Sequence, residues 1–217
     1  MTRSATIFDL DGTLIDSESL AHVAWGRTLR HFGRVFKPEH ESLMLGWQLS
    51  EALENIKRHF ELDVSVETLF GVLSEEWADL TKNGLPTMPG VGALLDSLDQ
   101  RGIPWGVATN SDHAYATQHL THVNLVSRAQ AIVGCDDVPN AKPAPDVFLA
   151  CAKLMDVAPN ACIAVEDSKV GHRAAAAAGM LVVVVFEGAT SAEFPQADHI
   201  FHSHQQFLKN LDTLLSA

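Results

Sequence analysis

Ile7-Phe8-Asp9-Leu10-Asp11-Gly12-Thr13-Leu14 is the stretch that decides how this chain reads. The apolar run Ala5–Leu10 has the length of a short buried strand, and Gly12 follows where the backbone can turn sharply. Strand side chains alternate faces, so Asp9 and Asp11, two positions apart, point the same way. Carboxylates held this close repel unless a cation sits between them or one stays protonated. Both arrangements suggest chemistry: a carboxylate nucleophile or metal ligand, with a second carboxyl as acid and base. A capped strand end followed by an Asp-Gly turn explains the same residues without chemistry. On this stretch alone the two readings stay open.

Outward from it, short apolar runs alternate with helical stretches. Strands are predicted at Ala5–Leu10, Trp105–Thr109, Ala131–Gly134, Cys162–Val165 and Leu181–Phe186. Helices are predicted at Val91–Arg101, Asp112–Leu120, Pro145–Met155 and Val170–Ala178. Such alternation predicts an α/β fold, a parallel sheet covered on both faces. Pro89-Gly90 marks a helix start and Gly102 a stop. The run Ala174–Ala178 suits a helix packed closely on the sheet. From Ser17 to about Leu85 the pattern is helical only: Ala21/Trp25/Leu29, Leu49/Leu53/Ile56 and Leu69/Leu73/Trp77/Leu80. This predicts a core of residues 1–15 and 86–217, with a small helical domain, 16–85, inserted after the first strand. Asp16-Ser17 and Asn83-Gly84-Leu85-Pro86 would be its hinges.

Bulk properties narrow the function classes. The 217 residues, 47% apolar and 19% charged, suit a globular protein of one large or two unequal domains. A net charge of −12 argues against a nucleic-acid binder, which needs a basic face. A phosphorylated small molecule remains compatible, because a metal and a few local cations reverse the field within a pocket. Cys135, Cys151 and Cys162 are odd in number and lack zinc spacing, so they read as reduced thiols, mostly buried. Met1–Ala5 leads into a strand without the apolar stretch of a secretory leader. The longest apolar run, Met180–Phe186, fits a buried strand and not a membrane span. The expectation is a soluble, cytoplasmic protein, monomeric or weakly dimeric, with no membrane partner.

Three further clusters fall at predicted strand ends. Thr109-Asn110-Ser111 offers hydroxyls, an amide and backbone N–H groups to an anion, or it caps the next helix. Lys142-Pro143-Ala144-Pro145 places a lysine on a stiff loop, either as a surface charge or as the cation that a polyanionic transition state needs. Glu166-Asp167-Ser168 reads as part of a metal shell or as a helix cap. Together they point to a site, because open parallel sheets bind ligands outside the strand carboxyl ends.

These four motifs, in this order, resemble the haloacid dehalogenase superfamily in its phosphatase and phosphomutase branch, over nearly the whole chain. The resemblance implies a Rossmann-like, doubly wound parallel sheet with the first strand between the second and fourth. It also implies that residues 16–85 form a helical cap. By the same resemblance Asp9 is the nucleophile that takes the phosphoryl group as an aspartyl-phosphate. Asp11 protonates the leaving oxygen and then deprotonates water. Thr109, Asn110 and Lys142 contact phosphate. Mg2+ is held by Asp9, the backbone carbonyl of Asp11, and Asp167, with Glu166 nearby.

Within the family, Asp11 argues against dehalogenation, since dehalogenating members lack the second acid. Phosphonate-cleaving members differ at that position too. A phosphosugar mutase shares all four motifs, but its cap loop carries a basic residue after a glycine. The matching stretch, Leu43–Glu51, has no Lys or Arg, although Lys57 or Arg58 could substitute. The preferred expectation is a Mg2+-dependent phosphatase for a small phosphorylated metabolite, a sugar phosphate or a phosphoglycolate-like acid. The mutase is the alternative, and a non-catalytic binding protein stands third. Gly46, Trp47 and Gln48 are the expected specificity residues, with core packing an equal reading of Trp47. His199, His202 and His204 could bind a transition metal, but a solvated loop is the favoured reading there. Asp136-Asp137 reads as a turn, and Ser168 and Asp112 as supporting groups or caps.

Overall fold

The computed structural model describes residues 3–44 and 49–216. Among the described residues there are six strands: β1 (Ala5–Phe8), β2 (Trp105–Ala108), β3 (Ile132–Val133), β4 (Cys162–Glu166), β5 (Leu181–Val185) and β6 (His199–Phe201). The helices in chain order are α1 (Ser17–His31), α2 (Leu49–His59), α3 (Val66–Thr81), α4 (Val91–Gln100), α5 (His113–His122), α6 (Asp146–Leu154), α7 (Lys169–Ala177) and α8 (His204–Leu215). The chain divides into two compact units, Met1–Asp16 with Leu85–Ala217, and Ser17–Gly84.

The first unit carries the expected parallel sheet, in the order β3-β2-β1-β4-β5-β6. Ile7 of β1 pairs with Gly106 of β2 on one side and Ala164 of β4 on the other. Strand order therefore reverses at β1, and the crevice beyond its carboxyl end is where doubly wound sheets hold ligands. β1, β2 and β4 are buried along their whole length. The four valines of β5 are buried as well, which suits β-branched residues on a sheet covered on both faces. Phe8 packs edge-on to Trp105, ring centroids 6.1 Å apart, and so ties the central strand to β2.

Two elements differ from the sequence reading. Residues 199–204 are not a solvated loop: His199–Phe201 is β6, paired with β5, and His204 is buried in the first turn of α8. β6 is short and half exposed, so it lacks the apolar run that revealed the other strands. Ser203 caps α8 by accepting the Gln206 N–H, and Phe207, Leu211 and Leu214 bury one face of it.

The Ser17–Gly84 unit is helical. Its core joins Trp25 and Leu29 of α1, Leu53 and Ile56 of α2, and Leu69 and Leu73 of α3. Leu49, expected on that apolar face, is exposed at the start of α2. Arg27 and His31 of α1 pair with Asp79 and Glu76 of α3 at 2.9 and 2.8 Å. Such exposed pairs contribute little, about 0–1 kcal/mol each, so the apolar seam holds the unit. Among the described residues no helix is long and apolar enough to cross a membrane.

Candidate active site

β1 ends where its last ladder bond, Asp9 N–H to the Val165 carbonyl at 2.9 Å, fixes the backbone of Asp9 against β4. The chain then turns: Gly12 N–H donates to the Ile15 carbonyl, and the Leu14 and Ile15 N–H groups to the Leu10 carbonyl. Gly12 has φ +78°, and an ideal Cβ there would stand 2.3 Å from Asp167 Oδ2. Glycine is thus required twice, for the left-handed turn and for the approach of Asp167. Thr13 Oγ1 donates to Asp167 Oδ1 at 3.0 Å and orients that carboxylate.

Lys142 arrives from the loop before α6. Its Nζ donates to Asp9 Oδ1 at 2.5 Å and to Glu166 Oε1 at 2.6 Å, and lies 4.8 Å from the centre of the Phe148 ring. The Lys142 side chain is only 2% exposed and that of Glu166 is fully buried, so this is a desolvated ion cluster. Glu166 Oε2 accepts from Ser168 Oγ at 2.9 Å and from the Asp167 and Ser168 N–H groups at 3.3 Å. Ser168 also caps α7, accepting the Gly171 N–H at 3.0 Å. An ideal Cβ at Gly171 would fall 1.9 Å from the Glu166 carboxyl, so the first turn of α7 can sit on that acid only with glycine there.

Oxygen atoms of Asp9, Glu166 and Asp167 lie within 4.8 Å of one another. Three carboxylates around one ammonium leave negative charge in excess, and an all-oxygen donor set suits a hard divalent cation. Burial pushes Asp9 up to about 7, with Glu166 and Asp11 adding to the rise and Lys142 opposing it. Burial alone would lower the Lys142 ammonium, but the Asp9 and Glu166 charges outweigh it and hold the group above its ordinary value. The cluster therefore lacks positive charge, and a metal ion beside Asp9 would remedy that.

Asp11 is held separately. Ser111 Oγ donates to its Oδ2 at 2.7 Å and the Tyr115 hydroxyl to its Oδ1 at 3.3 Å. Burial, with the nearby Asp11 charge, pushes the Tyr115 phenol well above its ordinary value, so it stays a donor. The carboxyl of Asp11 is not among the three clustered groups.

The other expected site residues fall around these two centres. Thr109 is buried beyond the end of β2, its Oγ1 accepting the Ser111 N–H at 3.0 Å. Asn110 has its amide engaged at both ends by the backbone of Lys142. Its Oδ1 accepts the Lys142 N–H at 2.8 Å and its Nδ2 donates to the Lys142 carbonyl at 3.2 Å, which fixes the lysine loop. Asp112 takes the N-cap position of α5 without a side-chain cap bond, and accepts from Cys135 Sγ at 3.7 Å. Asp136 and Asp137 lie in a short helical turn after β3. Gly46, Trp47 and Gln48 lie outside the described residues. Tyr115, Thr13 and the hydroxyl role of Ser111 escape a reading of the sequence. The one available signal is the spacing of Ser111 and Tyr115, four apart at a helix start.

The switch point of a parallel sheet thus gathers a buried lysine, clustered carboxylates and a separately held acid. Residues 6–185 match the haloacid dehalogenase-like hydrolase family, and the chain belongs to it. It is 33% identical over 205 residues to hexitol phosphatase A of Escherichia coli (strain K12), covering 92% of this chain and 91% of that protein. It is 32% identical over 182 residues to the fructose-1-phosphate phosphatase YqaB of the same strain, covering 82% and 94%. A crystal structure from Thermotoga maritima, assigned as a beta-phosphoglucomutase, superposes with a TM-score of 0.87 at 27% identity over 97% of this chain and 99% of that one.

Proposed function

We propose that this enzyme hydrolyses the phosphate monoester of a small sugar, polyol or hydroxy acid through a phosphoryl-aspartate on Asp9. The observation that carries the reading is the division of labour between two acids. Asp9 is locked to Lys142 among clustered carboxylates, while Asp11 is held apart by two hydroxyls.

Asp9 and Asp167, with the main-chain carbonyl of Asp11, would hold Mg2+, and Glu166 completes the negative charge around them. The bound ion supplies charge neutralisation for the phosphoryl oxygens and keeps Asp9 ionised. An Asp9 oxygen attacks phosphorus, the bond to the ester oxygen breaks, and Asp11 gives its proton to that oxygen. Water then attacks the phosphoryl group, Asp11 takes the water proton, and the Asp9–phosphorus bond breaks to release inorganic phosphate. Lys142, the Thr109 hydroxyl and the N–H groups at the start of α5 stabilise charge on the equatorial oxygens. Asn110 contributes by keeping Lys142 in place.

Hydrolysis is preferred to phosphoryl exchange because residues 43–51 carry no cation to hold a second phosphate. The hexitol and fructose-1-phosphate phosphatases among the relatives support a sugar or polyol phosphate. We assign substrate choice to the helical unit, which enters the chain directly after Asp16. The test is a panel of hexose, hexitol and hydroxy-acid phosphates with Mg2+ and with EDTA, together with trapping of the phosphorylated protein. Mg2+-dependent phosphate release is expected, and Asp9→Asn should abolish both release and labelling. Faster isomer interconversion than phosphate release, or full activity in Asp9→Asn, would overturn the reading.

A further inference from the structure

Tyr115 is the only tyrosine in the chain. It lies in the first turn of α5, and Ser111 lies just ahead of that helix, before its N-cap residue Asp112. A surface phenol would leave its hydroxyl in water. Here the ring instead rests on His119, centroids 4.3 Å apart, and His119 is itself buried. That backing turns the hydroxyl toward Oδ1 of Asp11, 104 positions earlier in the chain. Ser111 reaches the other oxygen, so each oxygen of this carboxyl accepts one hydroxyl donor.

We propose that Tyr115 is a positioning residue for proton transfer by Asp11, acting on the leaving-group step and not on phosphate binding. This rests on the role given to Asp11 above. The physical reason is orientation. With each oxygen of the carboxyl held by one hydroxyl, Asp11 is kept in one rotamer, and a fixed geometry counts most at the step in which a proton passes to the leaving group. The Tyr115 hydroxyl donates to Asp11, whereas Asp9 is held by Lys142, so phosphoryl attack itself is left to those two groups.

The demand for this proton depends on the leaving group. An alkoxide must be protonated as it departs, whereas 4-nitrophenolate leaves as the anion. The experiment compares wild type with Tyr115→Phe, which keeps the ring and removes the hydroxyl. The substrates are 2-glycerol phosphate, phenyl phosphate and 4-nitrophenyl phosphate. Expected is a fall of about tenfold in kcat/KM, which reports the reaction up to departure of the leaving group, on 2-glycerol phosphate. The fall in kcat/KM should be smaller on phenyl phosphate and absent within about twofold on 4-nitrophenyl phosphate. An equal loss on all three substrates, as general loosening of α5 gives, overturns the proposal, and so does no loss on any.

A second measurement does not depend on turnover. Ring-13C tyrosine labelling gives one spin system, and its resonance should move in Asp11→Asn. An unmoved resonance shows that the contact is absent and overturns the proposal. Failure of the wild type to release phosphate from any of the three esters would instead refute the phosphatase reading, and the role of Tyr115 with it.

Discussion

Replacing Asp9 by Asn should make the metal-free protein more stable at pH 8 and leave its stability nearly unchanged at pH 4. Asp9 is buried beside Glu166 and Asp11, and burial carries its carboxyl from the ordinary 3.8 up to about 7. The folded protein keeps this proton to about pH 7, while the unfolded chain releases it near 3.8. Over that window the folded state binds more protons, so stability falls as pH rises through it. The gap between 3.8 and about 7, at about 1.36 kcal/mol per pH unit, amounts to about 4 kcal/mol at pH 8. Asn keeps the shape without the charge, and Lys142 retains Glu166 as its partner at 2.6 Å. Urea unfolding of both proteins in EDTA, from pH 4 to 8, should show their difference growing with pH toward that figure. Mg2+ should then stabilise the wild type at pH 8 and have much less effect on Asp9→Asn, because a cation beside Asp9 relieves the same crowding. A difference that stays flat with pH, or Asp9→Asn being the less stable protein at pH 8, would refute the charge argument.

Lys142→Met should destabilise the metal-free protein by about 3 kcal/mol, since it strands the buried Glu166 without a cation. Adding Glu166→Gln should recover part of that loss, and a double-mutant cycle by urea unfolding measures the coupling. Asn110→Ala removes both bonds to the Lys142 backbone, and should cost about 1–3 kcal/mol by the same assay, with phosphatase activity lowered. Leu211→Ala, fully buried on α8, should cost about 2–5 kcal/mol without changing KM.

Asp9, Asp11 and Asp167 stand out in the sequence because each follows an apolar run, whereas Lys142 stands out through the prolines of the loop before α6. An apolar run is a strand, its end is a fixed place in a parallel sheet, and a polar group at that end has few reasons to be there. His199-Ile200-Phe201 fails that test. It is a three-residue edge strand whose first histidine stays exposed, and its identity comes from pairing with Val183–Val185, which local sequence does not carry. α8 starts on His204-Gln205-Gln206, so only Phe207, Leu211 and Leu214 betray its buried face.

The supporting groups are hidden for a different reason. Asn110 sits where a phosphate contact is expected, yet its amide matches the N–H and carbonyl of Lys142, 32 residues later, and such complementarity exists only once the loops meet. Tyr115 is likewise an ordinary helix residue until α5 turns it toward Asp11. Reaction chemistry is thus written in residues tied to strand ends, while the groups that hold them depend on which loops fold side by side. Conservative substitutions at Asn110 and Tyr115 should accordingly move stability or a single proton-transfer step, whereas Asp9→Asn should remove the reaction altogether.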